Sequence, residues 1–473
     1  MAHPDWVLKH KQKNTEIRNI RGRYYLYKIT SKWDPSKKRT KKVTLGMLGV
    51  ITEQDGFIPK GVTKKGRPPK FKAPMILSTK EYGATFLLQT LAPDIIDALK
   101  ECFPNDWENL LVLSLNRLLY QAPLKRCEFL FEESFLSETF KKVDLRKNTL
   151  TALMQDIGSD RQPIVKFLKT FIEGTEHIIF DATSIISNAS CIEAAQKGYS
   201  SQKGYDSYVN LFYMFNTDKK EPNYYRIFPG NIQGTSALKN CLQESGIKEM
   251  IAIGDKGFCS KNNLQLLEES SLQYILPLKR DIYQNAFDGH FIYQGRVIFY
   301  TSLPETTGKK VIIFTDKSLA LEEEKTYLKR IEDKFEGYTM EGYQEKQIKF
   351  GTISMITNCL HLSEEHIYSS YKTRMEIETV FDTYKNLLEA DRTYMHSDKS
   401  LEAWIFINHL ATMFYYRVFN LLKTHDLLKK ISPADLFART MRIHKIKIND
   451  QWVTSEINLQ TKKLLHKLNL PVT

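Results

Sequence analysis

From residue 177 to residue 278 the apolar spacing switches to short unbroken or alternating runs, and the order of these runs constrains the fold more than any other feature. "HIIFDATSI" is a short apolar strand ending on Asp181, and "SYVNLFYMF" and "YYRIFPG" form two further strands across the "NTDKKEPN" turn. "TSALKNCLQESG" suits a helix closing at Gly246, where glycine tolerates the left-handed backbone of a helix end. "EMIAIGD" is another apolar strand ending on an aspartate, Asp255, with "SKNNLQLLEES" as helix and "QYILPLK" as strand. Strand, strand, strand, helix, strand, helix, strand predicts an α/β fold, a mixed sheet flanked by helices.

The flanking segments have different periods. Residues 78–172 space their apolar residues at three and four, as in "WENLLVLSLNRLLY" and "IVKFLKTFI", and predict a helical domain. Residues 282–350 interrupt the α/β order with β-rich runs such as "HFIYQGRVIFYTSL" and a charged helical run near 320–335, which predicts a β-rich insertion. The sheet resumes at "TISMITN", and Ser363 with two following glutamates marks the start of a helix. The expected organisation is therefore a basic module and linker (1–74), a helical domain (75–172), a sheet in two parts (173–281 and 351–425) around the insertion (282–350), and a C-terminal extension (426–473).

Charge sorts these segments further. The net charge is +13, yet residues 1–80 hold 20 Lys and Arg against 5 Asp and Glu, leaving 48 against 50 for the remainder. The basic excess sits in the first sixth of the chain, on β-rich sequence around a "DPSKK" turn that predicts a hairpin with basic flanks. A basic folded module faces a polyanion, with nucleic acid the favoured partner. In the Pro- and Gly-rich linker beyond it, "KGRPPK" resembles an AT-hook core, which would place Lys65, Arg67 and Lys70 along a narrow minor groove. No run approaches the roughly 18 apolar residues of a membrane helix, so a soluble, cytoplasmic protein with no membrane partner is expected. The six cysteines form no C-x-x-C pair, which argues against both a disulfide framework and a zinc knuckle.

Three carboxylates stand out. Asp181 and Asp255 each close an apolar strand, and on neighbouring strands, about 4.8 Å apart, the two would repel unless a cation lay between them. Hard oxygen ligands suit Mg²⁺ or Mn²⁺ rather than zinc. Either aspartate alone reads equally as a strand-end turn residue or helix cap. The third carboxylate lies in "YKTRMEIETVFDTYK", residues 371–385. On one continuous helix, at about 100° per residue, Tyr371, Arg374, Glu378 and Lys385 fall within roughly 60° of one another. Ile377, Phe381 and Leu388 form the adjoining apolar stripe, and Glu376 points almost oppositely. A surface i,i+4 ion pair between Arg374 and Glu378 is the simpler alternative.

The pattern Y-x2-R-x3-E-x6-K, filled by Tyr371, Arg374, Glu378 and Lys385, resembles the YREK signature of bacterial insertion-sequence transposases in the DDE superfamily, of the IS-four-like kind. "IIFDATSI" is similar to that family's first-Asp strand and "IAIGDKGFCSKNN" to its second-Asp motif, in matching order. One departure follows "PGN", where the family brings an acidic residue and this chain has Gly234 or Thr235. The resemblance implies a ribonuclease H-like fold in which Asp181, Asp255 and Glu378 hold two Mg²⁺ or Mn²⁺ ions as the catalytic triad. It implies DNA contacts for Tyr371, Arg374 and Lys385. It also implies double-stranded DNA partners, namely terminal inverted repeats and target DNA, and a homodimer in a nucleoid-associated synaptic complex. A catalytically silent DNA-binding protein and a purely hydrolytic nuclease on the same fold are the competing expectations.

Overall fold

The structure is a computed structural model describing residues 3–61, 76–174, 176–187, 189–197, 206–232, 234–280, 286–304 and 307–471. Lys65, Arg67 and Lys70 lie outside the described residues. The chain divides into two compact units, Met1–Met75 and Ile76–Thr473.

The first unit is an antiparallel meander of β1 (Thr15–Ile20), β2 (Arg23–Asp34), β3 (Arg39–Thr52) and β4 (Gly56–Pro59). Arg21 and Gly22 both take positive φ between the paired Ile20 and Arg23, the tight two-residue turn whose twist matches the flanking strands. The "DPSKK" turn forms where expected, with the Asp34 carboxylate accepting the Ser36 amide at 3.1 Å. Its buried apolar core is small: Val7, Ile17, Leu26 and Ile51, with Trp6, Tyr24, Leu48 and Phe57 packed around them. Gly49 is required here, because a Cβ would stand 2.1 Å from the Ile58 carbonyl oxygen on β4. Beyond this core β2 and β3 run on as a two-stranded arm whose Lys32, Lys37, Lys38, Arg39, Lys41 and Lys42 are all exposed.

The second unit is built on one ten-stranded mixed sheet. Its strands are β6 (His177–Ser187), β7 (Tyr208–Asn216), β8 (Glu221–Pro229), β9 (Ile251–Ile253), β10 (Gln273–Pro277), β11 (Gly289–Tyr293), β12 (Arg296–Ser302), β13 (Lys310–Asp316), β14 (Thr352–Thr357) and β15 (Arg392–Thr393). The order is β11-β12-β13-β14-β10-β9-β6-β7-β8, with β15 added beside the end of β6. β9 pairs in parallel with both β6 and β10, while β7, β8 and β11–β14 are antiparallel to their neighbours. The strands of residues 282–350 thus extend the same sheet, joined through β13 to β14 and not closed on themselves. β5 (Ile76–Glu81) pairs with β16 (His444–Ile448), which pairs with β17 (Gln451–Thr454), so the C-terminal residues fold back onto the start of the helical region.

Helices cover the sheet. The helix Asp398–Thr424 is apolar nearly all round and buried through its middle, as a helix packed on several sides must be. It packs on Trp107–Tyr120, on Lys147–Ile157 and on β8. The helical region and the sheet therefore share a single continuous core. Buried Arg117 ties these layers, donating to Asn408 Oδ1 at 3.0 Å and to the Leu388 carbonyl.

Candidate active site at the carboxyl edge of the sheet

Register brings the two aspartates together. Ile179 of β6 is paired with Ile253 of β9, and two residues further along each parallel strand stand Asp181 and Asp255. Asp255, one residue beyond the Gly254 that follows β9, caps the short turn Lys256–Phe258, its Oδ1 accepting the Gly257 amide at 2.7 Å. Asp181 does not end its strand. β6 continues to Ser187, paired with β7 as far as Ile186, because β7 is long enough to satisfy that side throughout. Only the pairing with β9 stops before Asp181, so the aspartate marks the end of the parallel ladder and not of the strand.

The Asp181 carboxyl is pushed up to about 6, first by burial and further by the Asp255 and Glu378 carboxylates, against the Ala182 amide and Arg374. Its Oδ1 accepts the Ala182 amide at 2.8 Å. A carboxylate in this state is under-compensated and gains from a cation.

The stretch 371–385 is not one continuous α-helix. The helix Glu364–Lys372 gives way at Thr373 and Arg374 to i→i−3 bonding, with Arg374, Glu376 and Ile377 amides donating to Tyr371, Thr373 and Arg374 carbonyls. The Thr373 hydroxyl donates to the Ser370 carbonyl at 2.6 Å, which competes with the regular ladder. A helix Met375–Asp382 follows, and then a wider π turn at Thr383–Leu387 that carries Lys385. The tightened turn and the π turn alter the pitch in opposite senses. The expected apolar stripe is present, with Ile377 and Leu388 fully buried, but Val380 and Tyr384 are buried as well.

The four residues still gather around Asp181 and Asp255. Arg374 donates to Glu378 Oε1 at 2.8 Å and stands 3.7 Å from Asp181 Oδ2. Expected to face DNA, Arg374 here spans two carboxylates, and the simpler i,i+4 pair with Glu378 is present. Burial opposes its charge, while Tyr371, Glu378, Asp181 and Asp255 together hold it firmly protonated. The Tyr371 hydroxyl is pushed up by burial, against a hydrogen bond with Arg374. The Lys385 ammonium is lowered by burial and supported by Asp391 and Asp181. Glu376 faces away, bonded to Lys220 Nζ at 2.7 Å.

The donor set fits a hard divalent cation: three carboxylates from three elements, one of them raised by burial beside the other two. Among the described residues no three His, Cys, Asp or Glu side chains are already gathered as a cation cage. Arg374 holds Glu378 instead, so a metal would take over its neutralising role.

Residues that sequence reasoning did not single out lie at the same edge. Lys279 and Arg280 follow β10, which is parallel to β6 and β9, and so emerge beside the aspartates. Lys346 and Lys349 precede β14, whose antiparallel start lies at that edge, and Lys256 follows Asp255. "LPLKR" and "KQIK" carry this signal once strand direction is known.

Fold and site together define a mixed-sheet α/β protein with paired strand carboxylates at one sheet edge. Residues 172–414, just over half of the sequence, match the family described as the transposase DDE domain. The chain belongs to that family. No curated protein matches it significantly. Among solved structures it is similar to a cryo-EM structure of a piggyBac transposase synaptic complex with hairpin DNA. The identity is 11%, with a TM-score of 0.37 over 76% of this chain and 79% of that chain, a likeness too distant to carry an argument about function. Among the described residues no helix is long and apolar enough to cross a membrane.

Proposed function

We propose that this chain is a transposase of the YREK-bearing, IS-four-like kind, which binds the terminal inverted repeats of an insertion sequence, cleaves its ends and joins them to target DNA. The observation that carries this reading is the register that sets Asp181 and Asp255 at the same level of adjacent parallel strands, with Glu378 tied to Asp181 through Arg374. The strand order β8-β7-β6-β9-β10, with the first two joints antiparallel and the last two parallel, supports a ribonuclease H-like core.

Asp181, Asp255 and Glu378 would hold two Mg²⁺ or Mn²⁺ ions, which supply activation of the attacking water or 3′-hydroxyl and stabilisation of the leaving oxygen. The chain's own groups do the rest. Arg374, released from Glu378, and Lys385 neutralise phosphate oxygens next to the reacting one. Tyr371 orients the end nucleotide. The exposed cations of the first unit, with Lys65, Arg67 and Lys70 of the linker, hold the duplex, and two copies of the chain bring two ends together. The six-part division expected from the sequence serves as the working map of these tasks.

The test uses duplex DNA carrying the element's ends, incubated with Mg²⁺ and with EDTA. Cleaved ends and strand-transfer products in Mg²⁺ alone support the transposase. Cleavage without joined products points to a hydrolytic nuclease, and binding without cleavage to a silent DNA-binding protein.

A further inference from the structure

Two cavities meet beside the candidate active site. The first, of ≈ 510 Å³, lies between Tyr371 and the start of β14 and is lined by Lys256, Lys279, Arg280, Lys346 and Lys349, with no carboxylate in its wall. The second, of ≈ 450 Å³, shares Arg280, Lys346 and Phe350 with the first and adds Arg330 and Tyr338. The two therefore adjoin, the first beside Tyr371 and Lys256 next to the carboxylates and the second against the helix Lys317–Glu332.

Charge and shape restrict what fits. Glu323 lines the second cavity but is committed to Arg280, at 2.9 Å from each carboxylate oxygen, and to the Gly351 amide at 2.8 Å. Glu322 stands 3.4 Å from Arg296. The cations therefore dominate the groove, and an anion is its complement. Aromatic rings interleave with them: Arg330 lies over the Tyr338 ring at 5.0 Å, and Lys346 over Tyr327 at 5.2 Å. Cations alternating with rings suit a chain of phosphates whose bases stack, and every base has a face to stack. Cavities of this size each take about one or two nucleotides, whereas a duplex is too wide to enter.

We propose that the two adjoining cavities together form a groove for single-stranded DNA leading away from the carboxylates, with phosphates on Lys279, Lys346 and Lys349 and bases against Phe350 and Tyr338. The proposal rests on the transposase reading above, and it adds a strand path distinct from the duplex-binding first unit. A groove at the sheet edge would draw off the strand that is unpaired when a DNA end is opened.

The experiment uses the full chain and two fluorescent probes, an oligo(dT) of about 12 nucleotides and a blunt duplex of the same length, read by anisotropy across a salt series. The triple variant Lys279→Gln/Lys346→Gln/Lys349→Gln should bind oligo(dT) about 10- to 100-fold more weakly and lower the logarithmic salt slope by about 2, the value for three single-strand phosphates. Duplex binding should change by less than about threefold, since its cations lie elsewhere. Phe350→Ala should lose roughly tenfold on oligo(dT) without changing the slope. Phe350→Leu, which retains apolar bulk, should lose as much even if the alanine variant is poorly folded. Replacing the three lysines by arginine should restore binding. Unchanged oligo(dT) affinity and slope in the glutamine variant would overturn the groove, as would equal losses on both probes. Cleavage by the same wild-type protein separates the two ideas. If no DNA is cleaved but the variants still lose oligo(dT), the catalytic reading fails and the groove stands. If cleavage is normal and the variants bind normally, the groove alone fails.

Discussion

The two units put their charges to opposite uses. In the first, four buried apolar residues support a long hairpin whose cations all point into solvent. In the second, one cluster of charges is drawn inward and matched. Arg161 is bonded to Glu402, to Glu244 at 2.8 Å and to the Tyr225 carbonyl at 2.6 Å, and Arg226 completes the cluster at 2.6 Å from Glu244. Cations in solvent act over a Debye length on a distant polyanion and contribute little to folding. Cations buried against carboxylates fix geometry, and removing one partner strands the other. The same residue types thus stand open to solvent in one unit and hold the packed framework together in the other.

The contrast is most exposed to test at the carboxylates. Asp181→Asn, Asp255→Asn and Glu378→Gln should each lower end cleavage by at least about 10³-fold in Mg²⁺, while binding to duplex ends stays within about threefold. Gel assays of cleavage and anisotropy on one preparation read both. Wild-type cleavage by Glu378→Gln together with loss in Glu376→Gln would move the third carboxylate to the other glutamate.

Next in size is removal of the basic unit. A chain beginning at Ile76 should remain folded, since the second unit has its own core, yet bind duplex about 10²-fold more weakly at 0.15 M salt with a much flatter salt slope. Equal slopes for both chains would show that the first unit's charge has another use. Within the second unit, Arg161→Ala should cost about 3 kcal/mol in denaturant unfolding, because Glu402 loses its half-buried partner while Glu244 keeps only Arg226. Lys41→Ala, on the exposed hairpin, should change stability by less than about 0.5 kcal/mol.

A further effect depends on pH. Burial pushes the Glu81 carboxyl up to about 7, against the Ala84 amide that donates to it at 2.8 Å and further bonds from Thr85. In the unfolded chain this carboxyl loses its proton near 4.5, so between about pH 4.5 and 7 the folded state holds the extra proton and stability falls as pH rises. Glu81→Gln should remove that decline and stabilise the protein at pH 8 by up to about 3 kcal/mol relative to its effect at pH 4. Urea unfolding at the two pH values reads the difference.

The sequence disclosed those features that depend on near neighbours. The strand runs, the Ser363 cap and the Gly246 helix end were legible because apolar period and capping chemistry act within a few residues. Asp181 was misplaced as a strand end because what stops there is the pairing with β9, a relation between residues more than 70 positions apart. The change of period marks residues 282–350 as a β-rich insertion but carries no sign that its strands pair onto the main sheet through β13 and β14. The broken helix at Thr373 escaped because helical spacing survives a single tightened turn, while the hydroxyl bond behind it leaves no trace in periodicity. Buried polar groups such as Arg117 and His409, the latter bonded to the Tyr213 hydroxyl at 2.6 Å, gave no signal because their partners come from distant helices and strands.

The partial pairing of β6 has a kinetic consequence. On the side away from β7, β6 is bonded to β9 only from His177 to Ile179 and to β15 only at Ile186 and Ser187. Among the described residues no strand pairs with that side of the stretch between, and there the Asp181 carboxylate itself takes the Ala182 amide at 2.8 Å. The Ala182 amide, held by a side chain and not by a strand, should exchange with deuterated solvent by local fluctuation, faster than the amides on the β7 side of the same strand, which open only with the sheet. A point of faster exchange would then sit within a long strand, at the carboxylate that the sheet leaves without a second strand beside it.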